Sequence, residues 1–407
     1  MYSLILYLPQ LLFLQVNEII FVWGEKMRFL DAGETHGRCL IGILEGFPAN
    51  VKINIENINR LLELRQRGYG RGKRMEIEKD KAIILSGVRN SYTTGAPITI
   101  MIENRDYVNW QKYMDPISCD TMTKKVTIPR PGHADLPGCL KYGFGDARPV
   151  LERASARETA MRVAIGALCE ELLSVFGIKL YNHVIEIGGV RIKKEYSTDD
   201  VNLFEEAQNS ELFCIDKEAE NDMKQIIDRA KEAGDSVGGV AEVVCKNVPF
   251  GLGSHTHWDR KLDGILAQAV MSIQSVKGVE IGMGFEAAKK LGSEVHDEIF
   301  YDAQKGFYRK SNNAGGIEGG ISNGMDIVIR AAFKPIPTLY RPLKSVDLQD
   351  LKEKEAAVER SDTCVVPAGS VVMRAAVAYV IANSLIERLS GDSIEIMMNN
   401  YKNLYQK

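Results

Sequence analysis

Apolar residues recur at helical spacing in five segments of the chain, and this pattern gives a first outline of the fold. In the clearest segment, Ser155-Ala156-Arg157-Glu158 has the form of a capping box, and an apolar face follows until Gly177 ends the run. Further helices are predicted over residues 58–66, 217–233, 259–276 and 373–389. Runs rich in β-branched residues predict strands over residues 98–103, 179–192, 240–246 and 325–333.

Three of the predicted strands follow a similar short opening of small or hydroxyl residues with glycine, at residues 94–97, 237–239 and 322–324. This similarity suggests an internal repeat. Glycines cluster at residues 68–72, 143–145, 251–253, 282–284 and 315–324, as expected where several loops meet around a ligand. The alternative is that these glycines serve ordinary turns.

The composition is that of an ordinary globular protein. Of 407 residues, 45% are hydrophobic and 26% are charged, with a formal net charge of −3. These values exclude a disordered chain, a collagen-like repeat and a small disulfide scaffold. The seven cysteines are dispersed and form no C-x-x-C pair, so we expect a cytoplasmic protein without a cysteine metal cage.

The first 26 residues contain an apolar stretch, at residues 4–22, that is a poor targeting or membrane segment. No basic residue precedes it, no small-residue cleavage site follows it, and polar residues and Pro9 interrupt it. Residues 23–26 can be back-translated into a purine-rich run suited to ribosome binding before Met27. We therefore expect Met27 to be the true start, residues 1–26 to be an extension, and the protein to have no membrane partner.

A basic segment at residues 65–74 places five cations in ten residues of an otherwise slightly acidic chain. Either it is a solvated surface loop or it binds an anion. The overall charge argues against nucleic acid, whereas arginines on glycine turns suit a phosphorylated, carboxylated metabolite. Two other places offer candidate phosphate contacts. One is the helix start at Ser155, with Arg153 and Arg157, and the other is Lys334 in its proline-rich turn.

Two histidines lie among glycines and acidic residues, His36 in Gly-Glu-Thr-His-Gly and His133 in Pro-Gly-His-Ala-Asp. Each is a candidate general acid, or alternatively a hydrogen-bonded structural residue. His255 and His257 would share one face of a strand, but no carboxylate follows at a suitable spacing, so no metal is expected. The Gly282-Met283-Gly284 segment weakly matches a dinucleotide-binding loop, because the predicted strand before it is very short.

Three longer motifs resemble the chorismate synthase family. They are Gly33-Glu34-Thr35-His36-Gly37, the segment at residues 152–160, and the segment at residues 360–364. Residues 130–135, 319–324 and 334–335 are also similar to family segments, and the resemblance runs from Met27 to about Leu389. Thr35 stands where the family has serine, and Arg374 stands where it has glutamate.

The resemblance implies an α+β fold over residues 27–407, one domain built as a β-α-β sandwich. Central helices lie between antiparallel sheets, and the two halves are related by an internal pseudo-two-fold. It also implies a homotetramer, and it places the Gly282 turn near the flavin.

The implied reaction is the 1,4-elimination of phosphate from 5-enolpyruvylshikimate 3-phosphate to give chorismate. This step of the shikimate pathway uses reduced FMN with no net redox change. NADPH is a candidate reductant. No long insertion is visible, so we predict that the chain relies on an external flavin reductase. The overall charge predicts no nucleic-acid partner.

The resemblance assigns catalysis to three side chains. His36 protonates the leaving phosphate, His133 faces the N1/C2 carbonyl edge of the reduced flavin, and Asp362 assists proton removal on the flavin N5 side. FMN contacts fall on Ser155, Ala156, Arg157, Gln274, Ser275, Gly319, Lys334, Pro335, Ile336, Pro337, Thr338 and Arg360. Arg65 and Arg71 match NADP positions, and the same arginines could contact substrate when no nucleotide is present.

Overall fold

Two antiparallel sheets form the outer layers of the computed structural model, which describes residues 27–72, 78–304 and 306–405. The first sheet has the spatial order β1-β2-β6-β3. Its strands are β1 Arg28–Ala32, β2 Cys39–Glu45, β3 Ala82–Ser86 and β6 Ile98–Glu103, with the short ribbon β4 Val88–Arg89 and β5 Tyr92–Thr93 between β3 and β6 in sequence. Alternating buried and exposed positions in β2 and β6 show that one face of this sheet packs on the core.

The second sheet has the spatial order β10-β15-β9-β7-β8. Its strands are β7 Lys179–Ile187, β8 Val190–Arg191, β9 Gly239–Lys246, β10 Val276–Ile281 and β15 Ile327–Phe333. Three ribbons lie outside it: β11 Ile299–Asp302 with β12 Gly306–Arg309, β13 Ile317–Glu318 with β14 Ile321–Ser322, and β16 Lys344–Val346 with β17 Glu353–Glu355.

The helices range from single turns to one of 24 residues. They are α1 Ile55–Gln66, α2 Gln111–Met114, α3 Asp135–Tyr142, α4 Arg148–Ala154, α5 Thr159–Val175, α6 Val201–Ala207, α7 Lys217–Glu232, α8 Leu262–Met271, α9 Gly292–Val295, α10 Val366–Leu389 and α11 Ile394–Tyr405. Short 3-10 helices occur at Arg105–Asn109, Ala156–Glu158, Trp258–Arg260 and Gly284–Lys289.

Helices α5 and α10 form the central layer. They pack on each other, α5 also contacts β2 and β6 of the first sheet, and α10 contacts β7 and β9 of the second. The helices approach closely because Gly166 faces Ala375, where a Cβ would overlap the opposite backbone. This arrangement confirms the predicted α+β sandwich with central helices between antiparallel sheets.

The two halves of the chain repeat one plan, since each supplies an antiparallel sheet followed by one long central helix. That order agrees with the expected pseudo-two-fold. One large hydrophobic core joins the layers, with buried residues contributed from Met27 through Met397. Burial of apolar side chains against both sheets is the main force holding this sandwich together.

Several predicted boundaries differ from the structure for local reasons. The predicted strand over residues 179–192 is two strands, because Gly188 and Gly189 adopt positive φ angles in a tight turn. The predicted helix over 259–276 is only α8, since Ser275, with a φ of +72°, precedes β10. The last long helix starts at Val366, seven residues before its predicted start.

The capping-box prediction at Ser155 was wrong in detail. Ser155 caps the 3-10 helix Ala156–Glu158, and its hydroxyl accepts a hydrogen bond from the Arg157 backbone N–H at 3.3 Å. The Glu158 carboxylate instead binds Arg162 and Gln274. The long helix therefore begins only at Thr159.

In the described part of the chain, α10 is the one helix long and apolar enough to cross a membrane. However, 83% of its apolar window is buried inside the fold. Its hydropathy therefore reflects its place between the sheets.

Candidate active site

A cavity of roughly 1100 Å³ lies where loops from both halves of the chain meet the N-terminal end of α10. Of the seventeen residues that the sequence assigned to the site, all line this cavity except Gly319 and Pro335. The motifs around His36, His133, Ser155, Lys334 and Asp362, far apart in sequence, thus share one space.

His36 lies in a loop between β1 and β2 and is buried. Its Nδ1 is 2.8 Å from Glu152 Oε1, and its ring stacks on Trp110 with centroids 3.6 Å apart. Because an ionised carboxylate only accepts hydrogen bonds, Nδ1 donates to Glu152. Nε2 is then the ring nitrogen left for proton transfer into the cavity.

His133 is held by a second carboxylate. Its Nδ1 lies 2.6 Å from Asp135 Oδ1, and the Arg130 Nε–H donates to Asp135 Oδ2 at 2.8 Å. Burial opposes ionisation of Asp135, but hydrogen bonds from His133 and Arg130 outweigh it and hold the pKa of this carboxyl well below its usual range. Arg130 also donates to Thr338 Oγ1 at 2.8 Å, which ties this group to the proline-rich turn.

Asp362 is bound to the basic segment. Its Oδ2 lies 2.8 Å from Arg71 Nη1, and its Oδ1 accepts a hydrogen bond from the Gly72 backbone N–H at 2.6 Å. The basic segment is therefore not simply a solvated loop over its described part. Arg65 and Arg71 face the cavity, whereas Arg67 donates to Gln208 O and lies over Phe213.

Arg157 and Arg65 form a buried ionic cluster at the cavity wall. Arg157 Nη1 is 2.7 Å from Asp80 Oδ2 and 3.3 Å from Glu78 Oε2. Arg65 donates to Ala156 O at 2.8 Å and to Thr159 Oγ1 at 3.0 Å. Burial lowers the pKa of Arg65 to about 10, although the Asp80 charge opposes this change. The cluster thus keeps two guanidinium groups in a site poor in water.

Another part of the wall comes from the residues just before β10 and just after β15. Gln274 donates to Glu158 Oε1 at 2.6 Å, and Ser275 O accepts from the Lys334 backbone N–H at 2.8 Å. The Lys334 ammonium bonds to Gly132 O, and burial, with the nearby Lys277 charge, lowers the pKa of Lys334. Arg360, more exposed, donates to Asp106 Oδ2 at 3.2 Å.

Two assigned positions lie away from this cavity. Pro335 belongs to the cavity-lining turn but does not face the cavity itself. Gly319 is an exposed residue in the turn between β13 and β14, and a Cβ there would meet no atom within 4 Å. Arg153, considered as a phosphate contact, instead binds Gly33 O and Asp31.

The dinucleotide-like loop and the histidine pair have other surroundings. Strand β10 before Gly282 is six residues long, pairs antiparallel with β15 and leads into a 3-10 helix, so the segment is not a Rossmann unit. Gly282 lines a different cavity from the one that the predicted flavin contacts share. His255 and His257 lie in a loop rather than a strand. The described residues hold no group of three or more metal-ligating side chains.

Sequence reasoning missed the residues that support the two histidines. Asp135 and Glu152 stood inside the recognised motifs, and their charge beside a histidine or arginine was the available signal. Arg130 stood inside a recognised motif as well. Trp110 had a weaker signal, because only the folded chain brings it against His36.

This arrangement can bind an anion and move protons. The cavity is lined by the cationic side chains of Arg65, Arg71, Arg130 and Lys334, and two carboxylate-held imidazoles face it. Such a site suits acid–base chemistry on a phosphorylated compound. The fold and cavity together define an α+β enzyme.

Comparison with known proteins identifies the family. The sequence model of chorismate synthase matches residues 27–386. A chorismate synthase of Caldicellulosiruptor saccharolyticus is 91% identical over 381 residues, 94% of this chain and all of that protein. Another, of Geobacter sulfurreducens, is 56% identical over 384 residues, 92% of this chain and 98% of that protein. A crystal structure of chorismate synthase matches with a TM-score of 0.76 and 44% identity, covering 93% of this chain and 97% of that one.

The chain belongs to the chorismate synthase family. It is accordingly an enzyme, a lyase of aromatic amino-acid biosynthesis.

Proposed function

We propose that the protein converts 5-enolpyruvylshikimate 3-phosphate to chorismate by 1,4-elimination of phosphate, with reduced FMN and no net redox change. The observation that carries this proposal is the pair of imidazoles, His36 and His133, each bound to a buried carboxylate and facing one arginine-lined cavity in a chain of this family.

The cavity contains groups suited to a flavin phosphate and its ring. Arg65 Nη1, Arg157 Nε and Gln274 Oε1 are buried without a hydrogen-bond partner in the described structure. The unmet guanidinium N–H groups favour an anion, and the unmet Gln274 oxygen favours a hydrogen-bond donor. The residues that would hold FMN are the family-matched positions that line the cavity. They are Ser155, Ala156, Arg157, Gln274, Ser275, Lys334, Ile336, Pro337, Thr338 and Arg360. When bound, reduced FMN supplies electron density to the allylic system and recovers it.

His36 is assigned to the departing phosphate. With Nδ1 on Glu152, its Nε2 can give a proton to a phosphate oxygen as the C–O bond breaks. Arginines facing the same space stabilise the developing negative charge. His133, oriented by Asp135, would lie beside the flavin.

Asp362 is assigned to the proton lost in the second half of the reaction. Its contact with Arg71 fixes the carboxylate at the cavity wall and couples it to the basic segment. This arrangement holds the carboxylate in place to receive a proton.

The proposed source of reduced flavin is a separate flavin reductase, with NADPH as the ultimate candidate reductant. Arg65 and Arg71, which match nucleotide positions in the family, are already engaged with Ala156 and Asp362. We infer that their main role is to orient anionic substrate. Turnover with NADPH and oxidised FMN alone would contradict this assignment.

We propose a cytoplasmic homotetramer in which residues 1–26 lie outside the family domain of residues 27–407. The extension lies outside the described residues. Gly319, assigned to FMN but outside this chain's cavity, would in a tetramer be available to a neighbouring copy. Light scattering tests the tetramer, and mass spectrometry of the native N-terminus tests whether residues 1–26 are retained.

The rival function is nucleic-acid binding through the basic segment. It predicts that the affinity for random RNA falls steeply as the salt concentration rises and that FMN does not bind. The slightly acidic net charge of −3 speaks against it, since nucleic-acid-binding domains are usually basic. The direct test of the lyase is anaerobic mixing with 5-enolpyruvylshikimate 3-phosphate and dithionite-reduced FMN, followed by mass spectrometry of the product. Chorismate is the expected product.

A further inference from the structure

We infer that Glu152 is the positioning residue of the reaction: it selects the tautomer of His36 and stabilises its protonated form. This inference rests on the proposed function. It adds a residue to the site, because Glu152 contacts the imidazole and does not line the cavity itself.

Glu152 binds His36 through both the side chain and the backbone. Its two carboxylate oxygens lie 2.8 and 3.1 Å from His36 Nδ1, and Oε2 also accepts from the His36 backbone N–H at 2.9 Å. A single carboxylate thus fixes the ring and the chain that carries it. Rotation of the ring by 180° would cost the Nδ1 contact and leave a buried carboxylate short of donors.

The backbone of Glu152 fixes the same loop. Its carbonyl accepts from the Thr35 backbone N–H and from Thr35 Oγ1, each at 2.9 Å. On the other side of the loop, Asn104 Nδ2 donates to Thr35 O at 2.8 Å and to Gly37 O at 2.9 Å. The loop that presents His36 is therefore held from two sides. Stacking on Trp110 sets the plane of the ring, and the carboxylate sets which ring nitrogen faces Glu152.

The charges around His36 leave Glu152 as its direct anionic partner. Trp110 covers one face of the ring, and Arg148 and Lys124 lie over Trp110 rather than against the imidazole. Arg148 reaches Glu152 only at 3.4 Å and makes a shorter contact, 2.9 Å, with Glu359.

Glu152 is ionised although it is buried. Burial opposes its ionisation, but hydrogen bonds and the charge of His36 outweigh this effect and hold the pKa of the Glu152 carboxyl below its usual value. A neighbouring carboxylate favours imidazolium over imidazole. An acid that must give its proton to phosphate needs that form at working pH.

The test compares Glu152→Gln, which keeps the shape and removes the charge, with Glu152→Asp, which keeps the charge and shortens the reach. Glu206→Gln, which changes an exposed carboxylate that does not line the cavity, is the control. We expect Glu152→Gln to lower kcat by roughly 10²-fold with little change in KM, the size of effect typical for a residue that orients another. Glu152→Asp should recover part of the loss, and the control should match the wild type.

The pH profile separates orientation from general damage. In Glu152→Gln the alkaline limb of the kcat profile should move to lower pH, because no carboxylate then favours imidazolium. A parallel fall at all pH values, or a profile equal to the wild type, would overturn the inference. An inactive wild type would instead contradict the proposed function.

A measurement on the wild-type protein decides the tautomer without turnover. In ¹⁵N-histidine NMR spectra, with the His36 signal assigned by its loss in His36→Ala, we expect neutral His36 to carry its proton on Nδ1. A proton on Nε2 would overturn the role of Glu152.

Discussion

Arg374 and Glu170 form a two-point ion pair where the central helices α5 and α10 cross. Arg374 Nε lies 2.7 Å from Glu170 Oε1, and Nη2 lies 2.6 Å from Oε2. Burial opposes the charge on Arg374, but Glu170 outweighs it and raises the pKa of this arginine. The family resemblance led us to expect glutamate at position 374. The ion pair gives Arg374 a structural role there, because it links the two central helices.

Breaking this pair should destabilise the fold. In Arg374→Met, Glu170 loses its partner in a largely buried place, and we expect a loss of about 3 kcal/mol in the free energy of unfolding. Urea titration measures it, with the exposed Arg229→Met as the control. The charge-reversed double variant, Arg374→Glu with Glu170→Arg, should recover much of the loss. A loss no larger than that of the control would contradict the role assigned to this pair.

Asp135 should make the fold sensitive to acid. Its folded pKa lies below the value of about 3.9 expected for an unfolded aspartate, so its contribution to stability is complete above that value and disappears as the pH falls. We expect Asp135→Asn to lose ~2 kcal/mol near pH 7 and to show a smaller deficit near pH 3.5. Urea unfolding at both pH values measures this, with the exposed Asp222→Asn as control. A deficit that is constant with pH would contradict the assignment.

Arg157 should matter more for the flavin than for the substrate. Arg157→Lys keeps a charge near Asp80 but loses the planar fork, and we expect roughly tenfold weaker FMN binding. Flavin fluorescence measures the FMN affinity, and isothermal calorimetry measures the affinity for 5-enolpyruvylshikimate 3-phosphate. If substrate affinity fell while FMN affinity held, the proposed position of the flavin phosphate would be wrong.

The two histidines should be separately essential. His36→Ala and His133→Ala are each expected to lower kcat by roughly 10²–10⁴-fold, because each removes a proton donor. His257→Ala removes an exposed histidine that pairs with Asp259 and does not line the cavity, and it should leave kcat unchanged. Steady-state anaerobic assays give these values. A small effect of His133→Ala would assign that residue a structural role.

The fold could be predicted where local periodicity and packing agree. Strand β6 was predicted residue for residue, and the resemblance supplied the sandwich. The predicted helix boundaries were wrong where one residue adopts a positive φ angle, as at Ser275. They were also wrong where a short 3-10 helix precedes the long helix, as before Thr159.

The candidate site could be predicted only as separate motifs. His36 and His133 were identified from their neighbours in sequence, but the contacts that define their chemistry are long-range, since Glu152 is 116 residues from His36. The stacking of Trp110 on His36 likewise depends on the folded chain. Nothing in the spacing of these residues encodes such contacts.

The most direct test of the proposed elimination is its stoichiometry. Under anaerobic conditions, with substrate in large excess over enzyme and dithionite-reduced FMN, chorismate, phosphate and the redox state of the flavin are followed together. We expect one phosphate released for each chorismate formed over many turnovers, with the flavin still reduced at the end. Oxidation of one flavin per product, or equal turnover without reduced FMN, would contradict a redox-neutral, flavin-dependent elimination.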